Sequence, residues 1–152
     1  MANTYTQIYV HIIFAVKARG NLISDRWEEQ LYKYITGIVE GNKQKLMIIN
    51  GMPDHLHLLV GLKPDCSISD LVRQIKCCSS KWINERRFIS GRFEWQTGYS
   101  AFSVGRYHLR AVINYIESQK QHHARNSFKD EYVGLLRDNQ IDFREEYLFE
   151  FL

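Results

Sequence analysis

Two histidines one residue apart, His55 and His57, have the types and spacing that most directly suggest chemistry in this sequence. They lie within residues 47–62, in a run with the composition of a β-strand. Side chains alternate along a strand, so both imidazoles should project from one face while Leu56 and Leu58 project from the other. The two histidine Cα atoms would then be roughly 6.5 to 7 Å apart, close enough for both rings to bind one metal ion. The pair therefore predicts half of a metal site.

The remaining ligands of such a site must come from elsewhere in the chain. A histidine-triad nucleotide hydrolase would need a third histidine at the next position on the same face, where this chain has Leu59. A structural zinc site would need two more cysteine or histidine ligands at short spacing, and none lies nearby. A solvated histidine pair on a sheet face is the alternative that requires no metal.

A tyrosine and a glutamine four residues apart, Tyr115 and Gln119, form a second candidate group. On a helix this spacing directs both side chains to the same side. A tyrosine hydroxyl can attack the phosphorus of a phosphodiester and form a covalent phosphotyrosine, and an amide oxygen can be a further metal ligand. Because the pKa of tyrosine is near 10, the hydroxyl would need a nearby cation or base. The same spacing also fits an interfacial tyrosine with its hydroxyl in water.

Length and composition limit the class of protein. At 152 residues the chain predicts a single domain, residues 1–152, that can bury a core without disulfides. The formal net charge of +3 permits nucleic-acid binding if the basic residues cluster. The three cysteines lack Cys-x-x-Cys spacing, which indicates free thiols in a reducing compartment. Neither a signal-peptide pattern nor a long apolar run occurs, so a cytoplasmic protein is expected.

The order of the predicted elements determines whether these side chains can meet. Hydrophobic periodicity predicts strand, helix, strand, strand, helix and strand at residues 8–16, 24–41, 46–50, 55–62, 67–83 and 99–104. This order is typical of the ferredoxin-like split βαβ fold, an α+β fold with a four-stranded antiparallel sheet and helices on one face. The first and third strands are central neighbours in that topology. His11 should therefore lie on the open face of the sheet, near His55 and His57.

Two further helices are predicted after the sheet. One spans roughly residues 106–122 and carries Tyr115 and Gln119. The other starts near Ser127 and has apolar residues at helical spacing, namely Phe128, Tyr132, Leu135 and Leu136. The acidic and aromatic end, residues 143–152, should pack on a neighbouring surface or on another subunit.

Four blocks of sequence, at residues 9–19, 52–59, 95–103 and 115–123, carry a resemblance to a known family. The second block reads Met-Pro-Asp-His-Leu-His-Leu-Leu, and the fourth begins Tyr-Ile-Glu-Ser-Gln. In these blocks and their order, the chain resembles the single-tyrosine HUH transposases of the IS200/IS605 type and their REP-associated tyrosine transposase relatives.

The resemblance implies a DNA transposase that cleaves and rejoins single-stranded DNA at folded hairpins through a covalent 5′-phosphotyrosine intermediate. By position, Tyr115 matches the family's nucleophile, His55 and His57 match its metal ligands, and Gln119 matches its additional ligand. The expected ion is Mg²⁺ or Mn²⁺. Family members are dimers whose tyrosine helix can complete the partner's active site, so a homodimer with a shared site is expected.

Basic and aromatic residues outside the central group are candidates for contact with DNA. Four candidates for phosphate contact lie in loops or at the ends of elements, namely Lys17, Arg19, Arg92 and Arg106. Three more form a basic stripe on the second helix that could bind phosphate or be a solvated helix face, namely Arg73, Lys76 and Lys81. Trp95, Tyr99 and Phe102 could stack on bases or pack in the core. The histidines His11, His122 and His123 could contact DNA or support the site from behind.

Other functional classes fit the same topology. A non-catalytic nucleic-acid-binding module is one, although the aromatic signature of RRM domains is absent from the first and third strands. Replication initiators and relaxases share the histidine pair but usually belong to longer chains. A transposase domesticated for a host role would have the same site residues.

Overall fold

The computed structural model of the protein describes residues 3–17 and 22–151. Its strands are β1 (Ile8–Ala15), β2 (Lys45–Met52), β3 (His55–Leu62) and β4 (Ser100–Val104). Its α-helices are α1 (Glu28–Gly41), α2 (Ile68–Arg86), α3 (Leu109–Glu117), α4 (Gln119–His122) and α5 (Phe128–Asp138). Short 3-10 turns occupy Arg106–His108 and Glu145–Tyr147.

The four strands form one antiparallel sheet in the order β2-β3-β1-β4. This order confirms the ferredoxin-like topology, with β1 and β3 in the centre and β4 at an edge. His11 on β1 is the register partner of Leu59 on β3. His57 lies two positions before Leu59 and so on the same face, which makes it the diagonal neighbour of His11.

The main core lies between one face of the sheet and helices α1 and α2. Strand residues with inward side chains, including Ile12, Phe14, Leu56 and Leu58, are completely buried there. From α1 and α2 the cluster receives Leu31, Ile35, Val39, Leu71, Val72, Ile75 and Ile83. Alternation along β3 thus commits Leu56 and Leu58 to this core, so His55 and His57 must project from the opposite face.

The opposite face is covered rather than open, which corrects the expectation from the sequence. Ile13, Ala15 and Phe102 form an apolar patch on that face. The patch is covered by a second cluster from α5 and the chain end, namely Phe128, Tyr132, Leu136 and Phe149. Covering this patch removes apolar area from water, which is the driving force for closing the face. The chain end therefore packs on its own chain in this structure.

Two of the helices begin at a serine cap. The Ser67 hydroxyl accepts a hydrogen bond from the backbone N–H of Asp70 at the start of α2. The Ser127 hydroxyl does the same for Asp130 at the start of α5. Each cap satisfies a backbone donor that the first helical turn leaves unpaired.

Two predicted helix boundaries are wrong. The first helix starts at Glu28 rather than near Ser24, because the Ser24 hydroxyl accepts from Arg26 and forms a turn. The predicted helix over 106–122 is divided at Ser118 into α3 and α4.

The cysteines Cys66, Cys77 and Cys78 are free thiols, as the sequence predicts. Among the described residues, no helix has the length and apolar character to cross a membrane.

Candidate active site

Both histidines of β3 are completely buried, and each is held at its Nδ1 atom. His55 Nδ1 lies 2.7 Å from Oδ1 of Asp54, in the turn before β3. His57 Nδ1 lies 2.8 Å from Nε2 of His11 on the neighbouring strand. The Nε2 atoms of His55 and His57 are left to face a common space beneath α5.

The helices α3 and α4 bring the predicted tyrosine and glutamine to this space. The Asn50 side chain donates to the backbone carbonyls of Ile116 and Glu117 at 3.0 and 3.1 Å, which fastens the end of α3 to β2. The Tyr115 ring centroid lies 5.8 Å from that of His57. Gln119 is fully buried, with its Oε1 atom 3.2 Å from His55 Nε2. The tyrosine therefore lies beside the histidines of its own chain.

A buried carboxylate, Glu131 of α5, lies at the centre of the cluster and is not among the site residues predicted from the sequence. One carboxylate oxygen, Oε1, lies 3.2 Å from His57 Nε2 and 3.4 Å from His55 Nε2. The other, Oε2, accepts hydrogen bonds from the Tyr115 hydroxyl and from the Gln119 amide. Glu131 thus contacts the predicted nucleophile, Tyr115, and all three predicted metal ligands, His55, His57 and Gln119.

A signal for Glu131 was present in the sequence. Glu131 follows Phe128 by three positions and precedes Leu135 by four, so it lies along the apolar stripe of α5. An acidic residue on a buried helix stripe requires a partner, because desolvating an unpaired charge is costly. The missing information was the surface that α5 covers.

Two more aromatic side chains of the C-terminal part enclose the site. The Phe128 ring stacks on the His55 ring with centroids 3.7 Å apart and planes 2° apart. His123, whose side chain is nearly buried, places Nε2 2.9 Å from Glu131 Oε1. His122 lies farther away, with Nε2 3.7 Å from Glu131 Oε2 and a third of its side chain exposed. The side of Tyr115 and His122 is therefore the more accessible side of the cluster.

Burial and hydrogen bonds shift the pKa values of the histidines in different directions. Burial lowers the pKa of His11 to about 3 and that of His57 to about 4, so both are neutral near pH 7. For His55, burial opposes the charge, but hydrogen bonds to Asp54 and Glu131 outweigh it and raise the pKa. These carboxylates therefore favour a protonated His55 when no other cation is present.

The same contacts shift the pKa values of the two acids in the cluster. Burial opposes ionisation of Glu131, yet its hydrogen bonds to His123, His55 and His57 lower its pKa far below the usual value. Burial and the adjacent Glu131 carboxylate raise the pKa of Tyr115. The cluster therefore contains an ionised carboxylate and a protonated phenol.

The cluster fits a divalent metal ion. One donor atom each from His55, His57 and Glu131 can be chosen so that all lie within 4.8 Å of one another. Imidazole nitrogens together with carboxylate and amide oxygens form a mixed donor set suited to first-row divalent ions, and oxygen donors suit Mg²⁺. An ion between them would also compensate the buried charge of Glu131. Gln119 Oε1 is near enough to be an additional donor.

Five of the residues predicted to contact phosphate line one groove on the other side of the sheet. The groove lies between α2 and residues 87–99, has a volume of about 1600 Å³, and is lined by Lys17, Arg73, Lys76, Lys81 and Arg92, with Arg87. Arg106 is exposed in the 3-10 turn before α3, outside this lining. Arg19 lies outside the described residues.

The basic side chains of the groove differ in the groups that they contact. Lys17 and Arg92 both pair with Glu94, at 3.3 and 3.5 Å. Arg73 pairs with Asp70 at 2.8 Å, and these exposed ion pairs are weak enough to exchange for phosphate contacts. Lys76 donates to the backbone carbonyls of residues 96 and 98, and burial lowers its pKa to about 8. Lys76 therefore supports the loop that forms the groove wall.

Three side chains that were candidates for DNA contact are buried instead. His11 is 4% exposed and is bonded to His57, so it lies behind the site rather than on a DNA-facing surface. Trp95 packs in the main core and donates its indole N–H to the Ser79 hydroxyl at 2.9 Å. Phe102 belongs to the second cluster. Tyr99 is 38% exposed and remains accessible in the groove wall.

Comparison with known proteins gives a match over most of the chain. The family model described as "Transposase IS200 like" matches residues 4–119, which include both histidines, the tyrosine and Gln119 but not α5. The ISDra2 transposase TnpA of Deinococcus radiodurans is 27% identical over 122 residues, covering 74% of this chain and 84% of the relative.

Two solved structures are similar in fold. The first is the crystal structure of a candidate transposase from Deinococcus radiodurans R1, with a TM-score of 0.63 and 28% identity, covering 78% of this chain and 95% of that chain. The second is a REP-associated tyrosine transposase bound to a REP hairpin, with a TM-score of 0.62 and 13% identity. That alignment covers 99% of this chain and 91% of the other, so the shared fold extends through α5.

Proposed function

Because this chain belongs to the IS200-like transposase family, we propose that it cleaves and rejoins single-stranded DNA through a covalent tyrosine intermediate. The observation that carries the proposal is the convergence of Tyr115 with His55, His57 and Gln119 around one carboxylate. A nucleophile, a candidate base and a donor set for a divalent ion are the parts that phosphodiester transfer requires.

The nucleophile in this proposal is the hydroxyl of Tyr115. Its oxygen forms a bond to phosphorus as the bond between phosphorus and the 3′ oxygen breaks. The products are a 5′-phosphotyrosine and a free 3′-hydroxyl, which takes up one proton. Rejoining reverses these steps with a 3′-hydroxyl as nucleophile, so the phosphotyrosine preserves the bond energy for strand transfer.

Glu131 has the geometry of the group that receives the phenolic proton. Its Oε2 atom accepts the hydrogen bond of the Tyr115 hydroxyl, while Oε1 faces the histidines. Without further positive charge, the raised pKa of Tyr115 and the lowered pKa of Glu131 favour the protonated phenol. Loss of the phenolic proton therefore requires additional positive charge that stabilises the Tyr115 phenolate.

That charge fits the metal-binding role of the cluster. His55, His57 and Glu131 would hold a divalent ion, Mg²⁺ or Mn²⁺, with Gln119 as an additional ligand. When bound, the ion supplies Lewis-acid stabilisation of the charge on the phosphate oxygens. The four proposed ligand side chains are themselves buried. The phosphate would therefore approach from the side of Tyr115 and His122, which is the more accessible side of the cluster.

The DNA partner is proposed to be single-stranded DNA with a folded hairpin. A structural relative is bound to a REP hairpin, which supports DNA as the partner of this fold. Lys17, Arg73, Arg92 and Arg106 are the proposed phosphate contacts, and three of them line the groove beside α2. Such contacts position the DNA without reading its sequence.

A cytoplasmic homodimer is the proposed form of the protein.

Formation of a covalent protein–DNA adduct tests the proposed reaction. We expect a denaturant-resistant adduct when the protein is mixed with labelled single-stranded DNA from the flanks of its gene and Mg²⁺ or Mn²⁺. Duplex DNA of the same sequence, and single strands in the presence of a chelator, should give no adduct. Electrophoresis under denaturing conditions measures it. Hairpin binding without an adduct on any flank would support a non-catalytic or domesticated protein instead.

Glu131→Gln is expected to weaken Mn²⁺ binding by at least about tenfold, because the change removes a buried negative charge from the ligand set. The amide retains the size of the side chain, so packing of α5 should change little. Isothermal titration calorimetry measures the Kd. Glu117→Gln removes an exposed carboxylate next to the site and is the matched control. An unchanged Kd in Glu131→Gln would remove Glu131 from the ligand set.

A further inference from the structure

We propose that His11 is a positioning residue that fixes the ring proton of His57 on Nδ1 and so presents His57 Nε2 to the metal ion. This inference rests on the proposed metal-dependent function. His11 is the nearest polar neighbour on the central strand β1, and its Nε2 atom lies 2.8 Å from His57 Nδ1. The sequence suggested either a DNA contact or a supporting role behind the site for His11, and its burial excludes the surface role in this conformation.

A neutral imidazole carries a single ring proton, on either Nδ1 or Nε2. A histidine that binds a metal through Nε2 needs the lone pair on that nitrogen, so its proton must be on Nδ1. His57 is completely buried, so its Nδ1–H must find an acceptor within the protein. His11 Nε2 is at the right distance to be that acceptor.

The second histidine of the pair has an equivalent arrangement with a different partner. Asp54 Oδ1 lies 2.7 Å from His55 Nδ1, and a carboxylate can only accept. The Nε2 atoms of both His55 and His57 consequently turn toward Glu131 Oε1, at 3.4 and 3.2 Å. Two unrelated partners on separate elements thus direct two histidines to one point, which is the arrangement expected of a built metal site.

His11 itself is held firmly enough to act in this way. Its ring stacks against that of His57 with centroids 5.0 Å apart, and it makes edge contacts with Phe102 and Tyr115 at 6.0 and 6.2 Å. An imidazole can also donate through Nε2, which matters before metal binds. In that state His57 Nε2–H can donate to Glu131, and His57 Nδ1 then accepts from His11. Because His11 Nε2 must then accept instead of donate, metal binding would move the ring proton from Nε2 to Nδ1 in both His57 and His11.

The test compares His11→Gln with His11→Leu. The glutamine amide oxygen can reach the position of the histidine Nε2 and accept from His57, whereas leucine cannot. We expect the Kd for Mn²⁺ to rise about 10- to 100-fold in His11→Leu and to be largely restored in His11→Gln. His108→Leu, which changes an exposed histidine, is the matched control and should bind like wild type. Equal losses in both His11 variants, or no loss in a folded His11→Leu, would overturn the proposal.

A spectroscopic measurement on the wild-type protein does not depend on any variant folding. In ¹⁵N-labelled protein loaded with Mg²⁺, long-range ¹H–¹⁵N correlation spectra distinguish the two tautomers of each histidine. We expect the His57 proton on Nδ1, and a proton on Nε2 would overturn the proposal. If wild type binds neither Mg²⁺ nor Mn²⁺, the proposed metal function fails. Normal binding with an unaffected His11→Leu defeats only the role of His11.

Discussion

Tyr115→Phe is expected to abolish the covalent DNA adduct and to lower strand cleavage by a factor on the order of 10⁴ or more, as loss of a covalent nucleophile does in other enzymes. The substitution removes one oxygen and keeps the ring that lies 5.8 Å from the His57 ring. Hairpin binding should persist, because the basic groove lies on the other side of the sheet. Denaturing electrophoresis measures the adduct, and a mobility-shift assay measures hairpin binding.

The control for this variant is Tyr107→Phe, whose side chain is 94% exposed in the turn before α3. It should form the adduct at the wild-type rate. Loss of the hydrogen bond from Tyr115 to Glu131 should cost about 1 to 3 kcal/mol of unfolding free energy, so thermal unfolding must be compared as well. A folded Tyr115→Phe protein that still forms the adduct would assign the nucleophile to another residue.

The sheet and the histidine pair could be predicted because both depend on local periodicity. Alternation along β3 places Leu56 and Leu58 in the core and both histidines on the other face. The order of the elements then places β1 beside β3, which brings His11 to His57. A short-range pattern combined with one topological rule was sufficient for these residues.

Glu131 could not be assigned in the same way, because its role depends on a contact between distant elements. Helical spacing identified α5, and an acidic residue on its apolar stripe was a signal of an unusual environment. The spacing does not say which surface the helix covers. That surface is created by Ile13, Ala15 and Phe102 on two different strands. Only the three-dimensional arrangement places the carboxylate opposite the histidines.

The basic residues that were candidates for DNA contact also differ in their surroundings, which residue type does not show. From the sequence, Lys76, Arg73 and Arg92 were all candidates for contact with phosphate. In the structure Lys76 is bonded to loop carbonyls, whereas the two arginines form exposed ion pairs. The energy of an exposed pair is small, so the arginines are free to exchange partners on binding DNA. Residue type alone does not show which basic side chain is already hydrogen-bonded within the fold.

His57→Ala is expected to lower Mg²⁺-dependent cleavage by a factor on the order of 10² to 10⁴, which corresponds to losing several kcal/mol of charge stabilisation. The change removes one of four proposed ligand side chains and also the hydrogen-bond partner of His11. Excess Mn²⁺ should restore part of the activity, because Mn²⁺ accepts nitrogen ligands more readily than Mg²⁺ and the remaining donors include His55. Rates measured over a range of concentrations of each ion test this directly.

The interpretation of His57→Ala depends on separating metal loss from unfolding. Removing a fully buried ring leaves His11 and Glu131 without one partner each, which should cost roughly 1 to 3 kcal/mol of stability per unsatisfied group. Cleavage must therefore be measured at a temperature where circular dichroism shows a folded variant, with His108→Ala as the exposed control. Rescue by Mn²⁺ in the folded variant would place the defect in metal binding, since a misfolded site would not respond to the choice of ion. Wild-type cleavage that persists in a chelator would instead contradict any metal role for His57.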